Sequence, residues 1–181
     1  MKKTPGLLTL ALLAFSACKN DADKTGEKQN QQEKMRNLKI VRYFDVEPEK
    51  VFEAYTNPDE MIVWWTPDTE FDIDLRVGGQ YSITRKEGET TYVMSGKYLE
   101  VEQPRKLKYT CAMLDFSPVI DTLSIEIQPD GKGGSRLTFI QEGEGINEEL
   151  KQLPEGTISE REKGWNQGFD LMAQSWKKKG N

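Results

Sequence analysis

The 181-residue sequence contains no histidine and only two cysteines, Cys18 and Cys111. Without histidine there is no Ser-His-Asp triad, no Cys-His nucleophile pair and no histidine-bearing zinc site. Two cysteines are too few for a zinc ribbon or an iron–sulfur cluster. Basic residues are outnumbered, 25 Lys and Arg against 30 Asp and Glu, for a formal net charge of -5. That acidic balance argues against nucleic-acid binding, which needs a basic surface. No apolar run reaches the roughly 20 residues that a membrane-spanning helix requires. At this length one folded domain is expected.

What is present begins with an address. Met1-Lys2-Lys3 precedes a run from Leu7 to Phe15 that is apolar except for Thr9, the length of a signal-peptide hydrophobic region. The run ends in Phe15-Ser16-Ala17-Cys18. Two small residues directly before a cysteine resemble the bacterial lipobox, although Phe15 stands where leucine is commonest. Cleavage by an ordinary signal peptidase at small residues such as Ala14 and Ser16 is the alternative. The lipobox resemblance implies that residues 1–17 are removed, that Cys18 is acylated, and that the protein is anchored in a bacterial cell envelope. Such proteins carry several acyl chains, and one chain alone binds membranes only marginally. Lys19 follows the cysteine, so the aspartate that resembles an inner-membrane retention signal is absent. Asn20-Asp21-Ala22-Asp23 loosely resembles surface-export signals. The outer membrane or cell surface is therefore expected over the inner membrane.

Cleavage there takes away two lysines and no acid, leaving 30 acidic against 23 basic side chains, a formal -7. With Cys18 consumed by lipid, Cys111 is alone, and no intramolecular disulfide forms although export would permit one. Residues 19–36 contain only Ala22 and Met35 as apolar side chains. Such a segment buries too little surface to offset its ordering entropy. Residues 18–37 are read as a flexible tether.

From Leu38 the pattern changes. Leu38 to Asp45 reads as a strand. Pro48 to Tyr55 reads as a helix with proline at its first position. Asn57-Pro58-Asp59-Glu60 reads as a second, capped start, on a short helix carrying Met61, Ile62, Trp64 and Trp65. Period-two alternation follows. Phe71, Ile73 and Leu75 alternate with Asp72 and Asp74, and Gly78-Gly79 marks a turn or bulge. Tyr81 and Ile83 alternate with Ser82 and Thr84. Thr90 to Glu102 is a long strand bent at Gly96. Leu107, Tyr109, Cys111 and Met113 form the next, then Leu123, Ile125 and Ile127. Pro129-Asp130-Gly131 turns into a strand holding Leu137 and Phe139. Asn147 to Leu153 forms a short helical turn. From Ser159 to Lys178, Trp165, Phe169, Met172 and Trp176 fall on one helix face. Gly164 and Gly168 lie beside that stripe, and glycine in a helix suggests a closely approaching neighbour. The pattern is α+β, an antiparallel meander with helices gathered on one face.

The residues now resemble a family. Val51-Phe52-Glu53-Ala54-Tyr55-Thr56-Asn57-Pro58 with Trp64-Trp65, Asp74-Leu75-Arg76-Val77-Gly78-Gly79-Gln80-Tyr81, Gly96-Lys97-Tyr98-Leu99-Glu100-Val101 and Gly164-Trp165 are similar, in order, to the AHSA-type branch of the START-like (SRPBCC) superfamily. This branch is named for an activator of the heat-shock protein 90 ATPase. The resemblance covers residues 38–181. It implies a helix-grip fold, in which a curved antiparallel sheet wraps a long C-terminal helix. It also implies a hydrophobic cavity between the two, with Trp64 and Trp65 near its mouth.

Candidate lining residues are Trp165, Phe169 and Met172 from the helix. From the sheet they are Tyr81, Ile83, Met94, Tyr109, Cys111, Leu123, Ile125 and Phe139. A small hydrophobic ligand fits such a lining, although the same residues can simply fill a core. Cys111 reads as an inert buried thiol, and Asp72 and Asp74 as a solvated strand face. The glycine-rich stretch from Asp130 to Gly134 lacks the features of a phosphate loop. Glu144, Glu148, Glu149, Glu155, Glu160 and Glu162 read as a solvated acidic surface. No catalytic residue, metal ligand or cofactor is assigned, and no protein partner is identified. Three functions stay open. The first is a non-catalytic binder of a small hydrophobic ligand. The second is a cyclase- or hydrolase-type enzyme using a carboxylate or Tyr109 in the cavity. The third is a chaperone partner, which export from the cytoplasm disfavours.

Overall fold

Alternating burial shapes the sheet. In the computed structural model, β1 (Leu38–Phe44) turns Leu38, Ile40 and Phe44 inward and Lys39, Val41 and Tyr43 outward. The structure describes residues 35–179. The expected signal peptide, the Cys18 anchor and nearly all of the tether lie outside the described residues. After β1 come α1 (Pro48–Thr56) and α2 (Pro58–Met61), then β2 (Glu70–Ile73), β3 (Gln80–Glu87), β4 (Thr90–Glu102), β5 (Lys106–Ala112), β6 (Ile120–Pro129) and β7 (Ser135–Glu142). Two helices follow, α3 (Glu144–Lys151) and α4 (Glu160–Lys179). Among the described residues, no helix is long and apolar enough to cross a membrane.

The seven strands form one antiparallel sheet in the order β1-β7-β6-β5-β4-β3-β2. β2 to β7 run as the expected meander, while β1 pairs with β7 at the far edge. Register carries the core across strands. Ile40, Phe139, Ile125 and Leu107 stand opposite one another on four neighbouring strands, and all four are buried. Each such side chain contributes about 1.5–3 kcal/mol of transfer free energy.

The helices cover that row. α1 packs on β6 and β7 through Val51, Phe52, Ala54 and Tyr55. α4 lays its four-three-four stripe against β7 and β1. The Phe139 ring meets Trp165 at 4.5 Å and Phe169 at 5.8 Å, and Phe44 meets Trp176 edge-on at 5.2 Å. Arg42 ties β1 to the same helix, donating to Asn166 at 3.0 Å and pairing with Asp170. This is the helix-grip arrangement, α+β as the sequence implies.

Several details differ from the sequence reading. Asn57 caps α2, accepting from the Asp59 backbone N–H at 3.1 Å, but α2 ends at Met61. Trp64 and Trp65 occupy the turn after it, their backbone N–H groups donating to the Met61 carbonyl at 3.1 and 3.2 Å. β4 runs unbroken past Gly96, and its pairing with β5 slips between Tyr98 and Glu100. Gly96 serves close approach instead, since a β-carbon there would lie 1.9 Å from the Thr110 carbonyl oxygen. Helix α3 begins at Glu144, earlier than its sequence suggests. Glu149 is not simply solvated, because it pairs with Arg161 at 3.0 Å.

Candidate functional site

Tyrosines wall one part of the space between sheet and helices. Tyr81, Tyr98 and Tyr109 project from β3, β4 and β5, with ring centroids 5.5, 5.4 and 6.0 Å apart in pairs. Pairing sets the cluster: Tyr98 stands opposite Tyr109, and Tyr81 opposite Gly96. Tyr55 joins from α1. What remains open is a cavity of about 20 Å³, room for about one water molecule.

The cavity wall is apolar and aromatic. Tyr81 donates to the Thr110 carbonyl at 2.9 Å. Tyr55 and Trp65 are also on the wall, and the Tyr55 hydroxyl and the Trp65 indole Nε1–H are buried without a hydrogen-bond partner among the described residues. Burial raises the phenols of Tyr55, Tyr81 and Tyr109 well above the usual tyrosine range and that of Tyr98 to about 12. These groups stay protonated at neutral pH. No carboxylate lies among the described residues that line the cavity.

A larger groove of about 450 Å³ opens outside it, between the Trp64–Trp65 turn and α4. Trp64, Trp65, Met94 and Trp165 line both the cavity and the groove. The helix side is Gly164, Gly168 and Leu171, with Arg85 and Arg161 also on the wall. Trp64 is held by its indole N–H on the Ala54 carbonyl at 2.7 Å. Gly168 lets it pack closely on α4, since a β-carbon there would sit 3.0 Å from Trp64 Cε3. Gly164 has nothing within 4 Å of such a β-carbon, so the close approach that the sequence suggests holds for one of the two glycines.

Across Trp165 lies a second groove of about 290 Å³, bordered by Cys111, Asp121, Gln141 and Arg161. Asp121 is buried and accepts four hydrogen bonds: Gln141 at 2.8 Å, the Gly145 and Ile146 backbone N–H groups at 2.9 and 3.1 Å, and Arg161 at 3.0 Å. Gln141 accepts in turn from Trp165 Nε1 at 3.0 Å. This chain fixes the first turn of α4, and with it the wall between the two grooves. Cys111 stands opposite Asp121 on the neighbouring strand, and burial pushes its thiol up to about 11.

Seven of the sequence candidates therefore meet at the cavity: Trp64, Trp65, Tyr81, Ile83, Met94, Tyr109 and Trp165. Leu123, Ile125, Phe139, Phe169 and Met172 are fully buried and line neither the cavity nor either groove, because α1 and α4 rest directly on the strands there. Cys111 borders the second groove. Sequence reasoning missed Tyr55, Met61, Ile73, Tyr98 and Leu107 on the cavity wall, and Asp121, Gln141 and Arg161 beside it. Tyr55 was within reach, as it falls four residues after Val51 on the inward face of α1. Asp121 gives no local signal, since its partners are 20 to 40 residues away in sequence.

Comparison with known proteins agrees with this architecture. No curated protein matches the chain. A solved protein from Chromobacterium violaceum is 24% identical, with a TM-score of 0.63 over 76% of this chain and 94% of that one. A Nitrosomonas europaea protein is 22% identical, with a TM-score of 0.64 over 82% and 98%. An HSP90 activator from Plasmodium falciparum is 21% identical, with a TM-score of 0.56 over 72% and 88%. At these identities the likeness is one of fold. The family model described as "Activator of Hsp90 ATPase homolog 1-like protein" matches residues 45–176, which hold α1, the tryptophan turn, the tyrosine strands and nearly all of α4, and the chain belongs to that family.

Proposed function

We propose that the domain is a non-catalytic binding module. It takes a small, largely apolar molecule in the groove between the Trp64–Trp65 turn and α4, and lipid on Cys18 holds it in the bacterial envelope, at the outer membrane or cell surface. The observation that carries the binding reading is the shared lining of groove and cavity. Four aromatic or thioether side chains wall both a surface cleft of about 450 Å³ and the small cavity at the buried tyrosine cluster. Ligand sites are typically apolar clefts of this scale with few polar groups. The ligand's body lies in the groove, since the inner cavity holds about one water's volume. An enzyme in the same place would have phenols as its acid–base groups, and burial keeps those protonated.

The test uses the full chain carrying Cys18→Ala, so that no acyl chain competes. Anilinonaphthalene sulfonate is expected to bind saturably at one site and to be displaced by isoprenoid or fatty-acyl compounds. Gly164→Leu places a side chain into the open groove and is expected to weaken probe binding at least tenfold without lowering Tm. Non-saturable binding, or binding indifferent to Gly164→Leu, overturns the reading.

A further inference from the structure

Tyr55 and Trp65 both line the small cavity, and the Tyr55 hydroxyl and the Trp65 indole N–H are both buried without a partner among the described residues. Their surroundings make this costly. Tyr55 is only 4% exposed, and a buried donor left unpaired loses its hydration without compensation. The Trp165 and Trp64 indoles nearby are both satisfied, on Gln141 and Ala54; the Trp176 indole N–H is also buried without a partner among the described residues, but Trp176 lines a different groove, beside Phe44. We infer that the ligand is a neutral apolar molecule ending in a carbonyl group, whose oxygen enters the inner cavity and accepts from Tyr55 and Trp65 while its hydrocarbon body lies in the groove.

The chemistry narrows the class. An indole nitrogen only donates, so the ligand atom must be an acceptor. A carbonyl oxygen has two lone pairs for two donors. The cavity volume of about 20 Å³ admits one such oxygen and little more. A carboxylate is disfavoured, since no Lys or Arg is among the described residues that line the cavity and an unpaired buried charge is far more expensive than a neutral acceptor. A pure hydrocarbon leaves both donors unpaired. The inference rests on the groove being the ligand site.

The test separates the two claims. In the full chain carrying Cys18→Ala, displacement of anilinonaphthalene sulfonate is measured for 2-decanone, for its isosteric alkene 2-methyldec-1-ene, and for decanoate. The ketone is expected to bind about tenfold or more tighter than the alkene, with decanoate no tighter than the alkene. Trp65→Phe and Tyr55→Phe, checked by Tm, are each expected to cut the ratio of ketone to alkene affinity. Two variants are used so that a folding defect in one leaves the other decisive. Equal binding of ketone and alkene, tighter binding of decanoate, or a ketone preference that survives both substitutions overturns the carbonyl inference and leaves the groove standing. No displacement by any of the three, with probe binding indifferent to Gly164→Leu, overturns the groove itself.

Discussion

Gly168 is the seat of Trp64. A β-carbon at position 168 would lie 3.0 Å from Cε3 of the indole, tighter than ordinary van der Waals contact, so a side chain there would press the indole and the helix apart by a few tenths of an ångström. On the same face, one turn earlier, Gly164 faces open space.

The two glycines should therefore respond differently to the same change. Gly164→Ala gains helix propensity of about 1 kcal/mol with no steric cost, and its Tm should rise by about 2–4 °C. Gly168→Ala gains the same propensity but pushes Trp64 off its place, so Tm should rise less or fall, and tryptophan fluorescence should shift. Equal stabilisation by both, with unchanged emission, would show that Trp64 does not depend on Gly168.

Asp121 joins β6 to α3 and α4. Asp121→Asn sets an amide among four donors and removes the charge that faces Arg161. A cost of about 2–3 kcal/mol is expected in urea unfolding, below the figure for a fully buried pair because Arg161 is partly exposed and keeps Glu149. Hydrogen exchange should quicken in the first turns of α3 and α4 and not in β2 or β3. A variant as stable as the parent chain, with unaltered exchange, would contradict the role assigned to the carboxylate.

The tyrosine cluster predicts an alkaline limit. The folded-state values of Tyr55, Tyr81, Tyr98 and Tyr109 are raised by burial. Protonated phenols are thus favoured in the native state. Their stabilisation is fully present below the unfolded tyrosine value near about 10 and is lost as pH climbs through the raised values. Phenolate absorbance should show these four groups ionising above pH about 11, in one step with loss of near-ultraviolet circular dichroism. Smooth ionisation of all six tyrosines with the dichroism intact would be the contrary result.

Anchoring is read from Cys18 and its neighbours. Radiolabelled fatty acid is expected to enter the protein in a bacterial host and to be lost in Cys18→Ala, while Cys111→Ala keeps the label. Labelling unchanged by Cys18→Ala would show that Cys18 is not the acylated residue.

The strands were legible because a half-buried strand writes its environment as alternation: Tyr81 and Ile83 against Ser82 and Thr84 need no partner to be recognised. The stripe Trp165, Phe169, Met172 and Trp176 is equally local, as helix geometry puts those positions on one face whatever they touch. The tryptophan pair was visible as residues but not as a turn, because where α2 ends depends on what Met61 packs against. The buried carboxylate was not visible at all. Asp121 opens a strand like any polar end residue, and only folding brings Gln141, Arg161 and the start of α3 around it.

The sequence by itself determined the composition limits, the order of elements, the α+β class and the family, since each follows from residue types, spacing and motifs along the chain. Only the tertiary structure decided how much space the sheet and helix leave between them. Four tyrosines from α1, β3, β4 and β5 converge through strand register and close the expected cavity to about 20 Å³, while the gap between Trp64–Trp65 and α4 stays open. Volume is a property of side chains packed from distant positions, so no single stretch of sequence carries it.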